Sequence, residues 1–215
     1  MQPRLVLASG SPRRAELLKR LGLGFTVRPA DIDETPRAGE SPAALVERLA
    51  REKAAAARPV PGEVAIAADT EVALDGTIFG KPRDDADAAR MLRLLAGREH
   101  DVLTGVAVLS GGDGRIASGV ERTRVAVAPM SAREIDWYVK SGEPRDKAGA
   151  YGIHGLFALF AVAVKGNYAN VVGLPQPLFY RLASELGVDL LAQAGPRAAD
   201  AAPRSLDSPP EAAIP

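Results

Sequence analysis

In the N-terminal part of the chain, a continuous apolar run typical of a buried strand is followed by apolar residues at helical spacing. An apolar run from Leu5 ends at Ser9-Gly10, and beyond it apolar residues recur at helical spacing until Gly22. Ser11 is a common N-cap residue type, and Pro12 suits the first helical position. The pattern therefore predicts a strand, a tight turn and a helix whose apolar side is formed by Leu17, Leu18 and Leu21.

The remaining chain alternates between the same two periods. Residues 64–74 are so continuously apolar that they predict a central strand. Strand-helix crossovers followed by hairpins predict an α/β fold with a mixed sheet. We expect one domain over residues 1–194 and a disordered tail over 195–215, which has no hydrophobic period. Further strands are predicted over 25–28, 77–79, 102–109, 116–127 and 156–164 and near Val171, and helices over 41–58, 85–96, 131–142 and 175–186.

Composition narrows the classes of protein. With 215 residues, of which 47% are apolar, the chain can bury one core or two lobes around a cleft. Basic and acidic residues balance at 27 each, so no net field attracts nucleic acid. Cysteine is absent and the histidines are His100 and His154, which excludes thiol catalysis and Cys/His zinc sites, so a metal must be held by oxygen. No membrane-length apolar run or secretory signal pattern is present, so we expect no membrane partner and a cytoplasmic location.

Two arginines in the first turn of the N-terminal helix predict an anion site. Arg13 and Arg14 lie where the helix dipole is already positive, which costs about 0.3–1 kcal/mol each unless an anion is nearby. Ser9 and Gly10 let the backbone approach closely, and the free N–H groups of the first turn point to the same place. The alternative is a solvated arginine pair on a surface helix, and this segment alone leaves both interpretations open.

Charged residues inside apolar patterns are the next candidates. Asp69 interrupts the central strand, where a carboxylate needs a cation or a metal; the alternative is an aspartate bonded to backbone. Its neighbour Thr70 either orients a ligand or satisfies the strand. Lys53 lies on the apolar side of the second helix, with snorkelling as the alternative. Lys81 stands between a glycine and a proline, which give it a bare and rigid approach.

Two loops add polar candidates. An acidic loop carries Asp31, Asp33 and Glu34, which as metal ligands suit a hard cation such as Mg²⁺ and otherwise are solvated surface. His154 lies in a glycine-spaced loop, where its ring can approach a nucleobase. A nucleotide P-loop is rejected because the glycines before Lys81 are one residue too close, and a serine hydrolase is disfavoured because its Gly-x-Ser-x-Gly elbow is missing.

Taken together, the segments resemble the Maf family of nucleoside triphosphate pyrophosphatases over about residues 5 to 190. Their order and spacing both agree with the family pattern, and seven segments in register are a strong signal. The segments are Ala8-Ser-Gly-Ser-Pro-Arg-Arg14, Asp33-Glu34, Arg51-Glu-Lys53, Ala68-Asp-Thr70, Gly80-Lys-Pro82, Lys147-Ala-Gly-Ala-Tyr-Gly152 and Val172-Gly-Leu-Pro175.

The resemblance implies an elongated mixed sheet flanked by helices, with two lobes around a central cleft, similar to the inosine triphosphate pyrophosphatases. It implies hydrolysis of a nucleoside triphosphate to the monophosphate and pyrophosphate with a divalent cation, Mg²⁺ or alternatively Mn²⁺. Asp69 matches the proton acceptor and, with Glu34, the metal ligands. A homodimer is a candidate assembly. The residues that match phosphate-binding positions are Ser9, Arg13, Arg14, Lys53 and Lys81.

The identity of the base is the least determined part of the resemblance. Members that act on dTTP and UTP resemble this chain at Arg13 and Thr70 but typically have glutamine at the position of His154. The 7-methyl-GTP branch has tryptophan, glutamine and glutamate at the three positions, and none of them occurs here. We therefore predict that all three residues contact the substrate and that it is a pyrimidine or modified pyrimidine nucleotide. The alternatives are ITP, 7-methyl-GTP, or a nucleotide-binding regulatory protein of cell division.

Overall fold

The long strand β3, Glu63–Leu74, organises a seven-stranded mixed sheet in the computed structural model, which describes residues 2–194. The sheet order is β2-β1-β3-β5-β6-β7, and β4 also pairs with β3. The predicted mixed α/β class and the central position of β3 are confirmed. The other strands are β1 Arg4–Leu7, β2 Phe25–Val27, β4 Thr77–Phe79, β5 Glu99–Ser110, β6 Ile116–Val127 and β7 Ala161–Lys165.

One edge of β3 is interrupted at its centre. Antiparallel β5 pairs with the other edge from Val64 to Ala73. On the interrupted edge, parallel β1 reaches as far as Ile66, and antiparallel β4 begins at Val72. Within the described chain, residues 67–71 therefore lack a strand partner on this side. The sheet opens there, and the side chains of the gap face a space between two halves of the molecule.

Helices cover both faces of the sheet. Ser131 opens α4 with the predicted capping box, in which its hydroxyl accepts from Glu134 N–H and the Glu134 carboxylate accepts from Ser131 N–H. Ser11 precedes α1, but its side chain makes no cap hydrogen bond, and its N–H instead donates to Ser9 Oγ at 3.2 Å. The helices are α1 Pro12–Arg20, α2 Pro42–Ala56, α3 Asp85–Leu95, α4 Ala132–Lys140, α5 Tyr168–Val172, α6 Gln176–Glu185 and α7 Leu190–Gln193.

Two separate hydrophobic cores lie on either side of the gap, which gives the predicted pair of lobes. Strand β3 contributes Ile66 to the first core and Val72 to the second. The first core also contains Leu7, Leu18, Val108, Leu174 and Phe179. The second also contains Phe79, Leu92, Tyr138 and Phe157.

Helix α2 approaches the sheet unusually closely. Small residues face it: Ala65 and Ala67 on β3 pack with alanines of α2, and Gly105 on β5 lies opposite Asp69. A Cβ at Gly105 would lie 2.1 Å from the Val46 carbonyl oxygen, so only glycine fits. This close packing brings the side chains of α2 next to the gap in the sheet.

One predicted strand begins too early, and the strand predicted near Val171 is wrong. Leu156–Leu159 is a 3₁₀ turn, and the strand begins only at Ala161. Val171 lies in α5, where the Asn167 side chain caps the helix by accepting from Asn170 N–H. A short apolar run does not separate a strand from a buried turn by period alone, which explains both errors.

Two further predictions concern the C-terminal tail and membrane-spanning helices. The predicted tail over 195–215 lies outside the described residues. Among residues 2–194, none of the helices has the length and apolar character needed to cross a bilayer.

Candidate active site

A cavity of about 660 Å³ occupies the gap between the lobes. Of the acidic loop, Glu34 lines the cavity, whereas Asp33 turns back to accept from Thr35 N–H at 2.9 Å. The structure thus brings all nine predicted site residues to one cavity from six separate segments. They are Ser9, Arg13, Arg14, Glu34, Lys53, Asp69, Thr70, Lys81 and His154.

Lys53 forms a buried ion-pair centre beneath the cavity. Its Nζ lies 2.6 Å from Asp69 Oδ1 and 2.7 Å from Glu34 Oε1, and the residue is 7% exposed. Burial raises the pKa of Glu34, but the hydrogen bond to Lys53 and the positive charges of Lys53, Lys81 and Arg14 outweigh it, so the pKa is lowered. The buried ammonium excludes snorkelling. Lys53 thus pairs with both carboxylates that were predicted as metal ligands.

Glu71 is a cavity residue that sequence reasoning missed. It lies two positions after Asp69 on β3, so the two side chains share one face of the strand. Burial raises the pKa of Glu71 to about 8, and the negative charges of Asp69 and Glu34 add to this. The period-two alternation of the strand would have been enough to predict this carboxyl group beside Asp69.

Arg14 is fixed by three hydrogen bonds. Its Nε donates to the Gly173 carbonyl at 2.8 Å, Nη1 to Ser9 Oγ at 3.0 Å and Nη2 to Thr70 Oγ1 at 3.1 Å. Burial lowers the pKa of the guanidinium, and the charge of Asp69 partly offsets this, but an arginine remains protonated in either case. Arg14 therefore presents a fixed positive charge to the cavity.

Thr70 acts as part of the support for Arg14. Thr104 Oγ1 donates to the Asn170 carbonyl at 3.0 Å, so the Thr70 hydroxyl is the donor in its 3.0 Å contact with Thr104. The Thr70 oxygen meanwhile accepts from Arg14. Since its proton is already committed, Thr70 influences a ligand chiefly through the placement of Arg14.

Arg13 bonds across the cavity to the second lobe. Its Nη1 donates to Asp146 Oδ2 at 2.9 Å, and Lys147 Nζ donates to Asp146 Oδ1 at 2.6 Å. Burial raises the pKa of Asp146, but Lys147 and Arg13 outweigh it and lower the pKa to about 2. Asp146 lies in an irregular 3₁₀ turn, Glu143–Asp146, whose geometry no sequence period predicts.

The loop that carries His154 is tied down at its base. Glu143 Oε1 accepts from the Tyr138 hydroxyl at 2.7 Å, and Oε2 accepts from Leu156 N–H at 2.9 Å. A Cβ at Gly155 would lie 2.3 Å from Glu143 Oε2, so a larger residue would displace this carboxylate from its hydrogen bonds. Burial, together with nearby positive charges from Arg13 and Lys147, lowers the pKa of His154, which favours a neutral imidazole. A neutral ring donates a hydrogen bond from one nitrogen and accepts one at the other.

The donor set fits a divalent cation that arrives with its substrate. No three His, Cys, Asp or Glu side chains within residues 2–194 form a ready-made metal site. Mg²⁺, however, is usually held by one or two carboxylates together with substrate phosphates. Asp69 Oδ2 is buried and receives no hydrogen bond from the described residues. An anionic oxygen in this state is suited to a cation.

The structure is thus a two-lobed α/β protein with a charged cleft at a break in its sheet. The chain belongs to the Maf-like family. The family model described as "Maf-like protein" matches residues 4–186. A dTTP/UTP pyrophosphatase of Anaeromyxobacter dehalogenans (strain 2CP-C) is 57% identical over 180 residues, which cover 81% of this chain and 90% of the relative. A dTTP/UTP pyrophosphatase of Symbiobacterium thermophilum is 48% identical over 184 residues, covering 85% and 94%.

Similar solved structures include a Ham1 protein from Coxiella burnetii. It has a TM-score of 0.47 at 19% identity and covers 86% of this chain and 98% of its own. The Staphylococcus aureus Ham1 protein has a TM-score of 0.43 at 19% identity, covering 58% and 72%.

Proposed function

We propose that this protein hydrolyses dTTP and UTP to the nucleoside monophosphate and pyrophosphate. The observation that carries the proposal is that the segment shared with the dTTP/UTP pyrophosphatases includes every residue of the charged cleft. A mixed set of fixed cations and carboxylates around one cavity is what hydrolysis of a polyphosphate requires.

The phosphates bind to cations from both lobes. Arg14 provides a fixed guanidinium next to the Ser9 hydroxyl, whose proton is free to donate because its oxygen accepts from Arg14 and Ser11 N–H. Arg13 and Lys81 complete the set from less buried positions. Lys53 stays between its two carboxylates and adds positive charge beneath the reacting phosphate. Charge that develops on the phosphate oxygens is thus met by donors already in place.

Asp69 is the proposed proton acceptor. Water attacks the α-phosphorus, the bond from this phosphorus to the α,β-bridging oxygen breaks, and pyrophosphate leaves with that oxygen. The proton lost by the water passes to Asp69 Oδ2, the oxygen that Lys53 does not occupy. Because Lys53 fixes the other oxygen, the carboxylate is held in one orientation.

A divalent cation, Mg²⁺ or alternatively Mn²⁺, is held by Asp69 and Glu34 in this proposal. When bound, it neutralises charge on the phosphate oxygens. A carboxylate oxygen has more than one lone pair, so Asp69 Oδ2 can face the cation and still orient the water. A cytoplasmic location and a homodimer are also part of the proposal, the latter tested by sedimentation of the purified chain.

The base is recognised from the loop of His154, with Arg13 and Thr70 acting nearby. A neutral imidazole provides a donor and an acceptor to the edge of a pyrimidine. Modified pyrimidine nucleotides, ITP and 7-methyl-GTP are the competing substrates in the test.

A substrate panel tests the proposal. Pyrophosphate release is measured with dTTP, UTP, CTP, GTP, ITP and 7-methyl-GTP, with and without Mg²⁺. We expect dTTP and UTP to be preferred and Asp69→Asn to lose activity by about a hundredfold or more while remaining folded. Asp136→Asn is the matched control, because this exposed carboxylate pairs with Lys140 on the surface of α4. A preference for ITP or 7-methyl-GTP would show that the substrate is a purine nucleotide instead. Unchanged turnover in Asp69→Asn would show that Asp69 is not the proton acceptor.

A further inference from the structure

Glu71 adds a further carboxyl group to the cleft, and the ion pairs of the cleft within residues 2–194 do not include it. Its Oε2 is buried, and no donor from the described residues reaches it. The same is true of Asp69 Oδ2, two residues earlier on the same face of β3. The Asp69 side chain is 7% exposed, so this oxygen is removed from bulk water yet belongs to a residue that lines the cavity. A buried carboxyl oxygen without a donor is costly unless it holds a proton or meets a cation.

The lysines of the cleft do not meet this need. Lys53 already bridges Asp69 Oδ1 and Glu34 Oε1. Lys81 is exposed, and among the described residues it takes part in no ion pair with Glu71. Arg14 adds a third cation to this wall, but it is committed to Gly173, Ser9 and Thr70. Asp69 Oδ2 and Glu71 Oε2 therefore remain open to a further positive species.

The backbone beside Glu71 leaves room for such a species. Gly80, which precedes Lys81 in the cavity wall, approaches Glu71 without a side chain. A Cβ at Gly80 would lie 3.8 Å from Glu71 Oε2, in van der Waals contact. The missing side chain keeps the space next to this oxygen open.

We infer that Glu71 is a ligand of the divalent cation, so that Asp69 Oδ2 and Glu71 Oε2 present two carboxylate oxygens from one strand. The inference rests on the proposed function, because the remaining ligands of the cation come from the phosphates of the substrate. It adds a residue outside the segments that carry the family resemblance, and it assigns Glu34 chiefly to Lys53. Two carboxylates plus phosphates are the usual protein environment of Mg²⁺.

Binding of Mn²⁺ tests this inference directly. Free Mn²⁺ is measured by electron paramagnetic resonance during titration of the full chain, with pyrophosphate present as the phosphate ligand. We expect Glu71→Gln to weaken Mn²⁺ binding by about tenfold or more, with Glu71→Asp intermediate. Glu185→Gln is the matched control, since this exposed carboxylate pairs with Arg181 far from the cleft. Circular dichroism checks that each variant is folded.

The outcomes separate the two proposals. Glutamine has the shape of a protonated glutamate, so a Glu71 that is merely a buried neutral acid would leave Mn²⁺ affinity unchanged in Glu71→Gln. That result, or absence of Mn²⁺ binding by the wild-type chain, would overturn the inference. If the wild-type chain binds Mn²⁺ through Glu71 but releases no pyrophosphate from any nucleotide, the inference stands and the proposed activity fails. If it is active and Glu71→Gln needs no more Mg²⁺ than wild type for half-maximal rate, the inference alone fails.

Discussion

The strand side of the cleft is held by buried contacts, whereas the loop side is more exposed. Lys53 and Asp69 are 7% and 5% exposed, and Arg14 is fixed by three hydrogen bonds. On the loop side, by contrast, the Asp146 side chain is 62% exposed. We define the strand side as Arg14, Lys53, Asp69 and Thr70. The loop side is Lys81, Asp146 and His154.

This difference assigns different tasks to the two sides. Groups that are buried and fixed by ion pairs or hydrogen bonds keep their geometry when substrate enters, as stabilisation of a transition state requires. Exposed groups on loops adjust to the ligand and tune affinity or selectivity. Substitutions on the strand side should therefore change both folding and turnover, and those on the loop side chiefly binding.

The largest effect is expected for Lys53→Met. Removing the ammonium leaves two carboxylates facing each other, one of them buried, so the free energy of unfolding should fall by about 3–5 kcal/mol. Urea denaturation measures this, and activity should fall with it. Lys81→Met is the counterpart on the loop side and should change stability by less than about 1 kcal/mol. Equal losses of stability in the two variants would contradict the distinction between the sides.

Arg14→Lys is expected to have the next largest effect. Lysine cannot reproduce the planar fork that donates to Gly173, Ser9 and Thr70, so kcat/KM should fall by about tenfold to a hundredfold. Arg13→Lys weakens one side-chain hydrogen bond, to Asp146, and should lower kcat/KM by about threefold. Steady-state kinetics of both variants give the comparison. A greater loss of kcat/KM in Arg13→Lys would mean that the more exposed arginine contributes more to binding or stabilising the phosphates.

A smaller effect, of the opposite sign, is expected for Asp146→Asn. The substitution removes a negative charge from the cleft and keeps an acceptor for Arg13, so KM for the triphosphate should fall by about twofold to fivefold. The gain should shrink at high salt, since Asp146 is exposed. A rise in KM would show that the charge of Asp146 chiefly holds Arg13 in place.

His154→Gln should have the smallest effect. An amide offers a paired donor and acceptor to a pyrimidine edge, so the ratio of kcat/KM for dTTP over GTP should rise by about twofold to threefold. Folding should be unaffected because His154 is exposed. If the ratio stays constant while kcat falls, His154 acts on the reaction and not on the base.

The sequence predicted the strand side better than the loop side, for a physical reason. Asp69 and Lys53 interrupt regular apolar patterns, and a charge at such a position must find a partner. The same reasoning extended by two residues predicts Glu71. Asp146, in contrast, lies in a 3₁₀ turn whose course depends on contacts distant in sequence, such as that of Arg145 with Asp85. Its role could not be predicted from local pattern.

The wrong predictions of the Ser11 cap and of the strand start at Leu156 have a similar cause. Ser11 has the right residue type for a cap, but Ser9 Oγ takes its N–H as part of the Arg14 network, a contact across the turn that residue type does not reveal. The strand predicted over 156–164 begins only at Ala161, because a bond from Leu156 N–H to Glu143 favours a turn before it. In both cases a hydrogen bond to another side chain determines the local geometry, which residue type alone does not reveal.

The interrupted edge of β3 also limits how this protein can change in evolution. Because β1, β4 and β5 each fix the register of the same strand, deleting one residue between Ile66 and Val72 would turn the residues on one side of the deletion to the opposite face of the sheet. Asp69 would then lose its position beside Lys53, or Thr70 its position beside Arg14. Substitutions can alter this segment, but its length should be nearly invariant among functioning descendants.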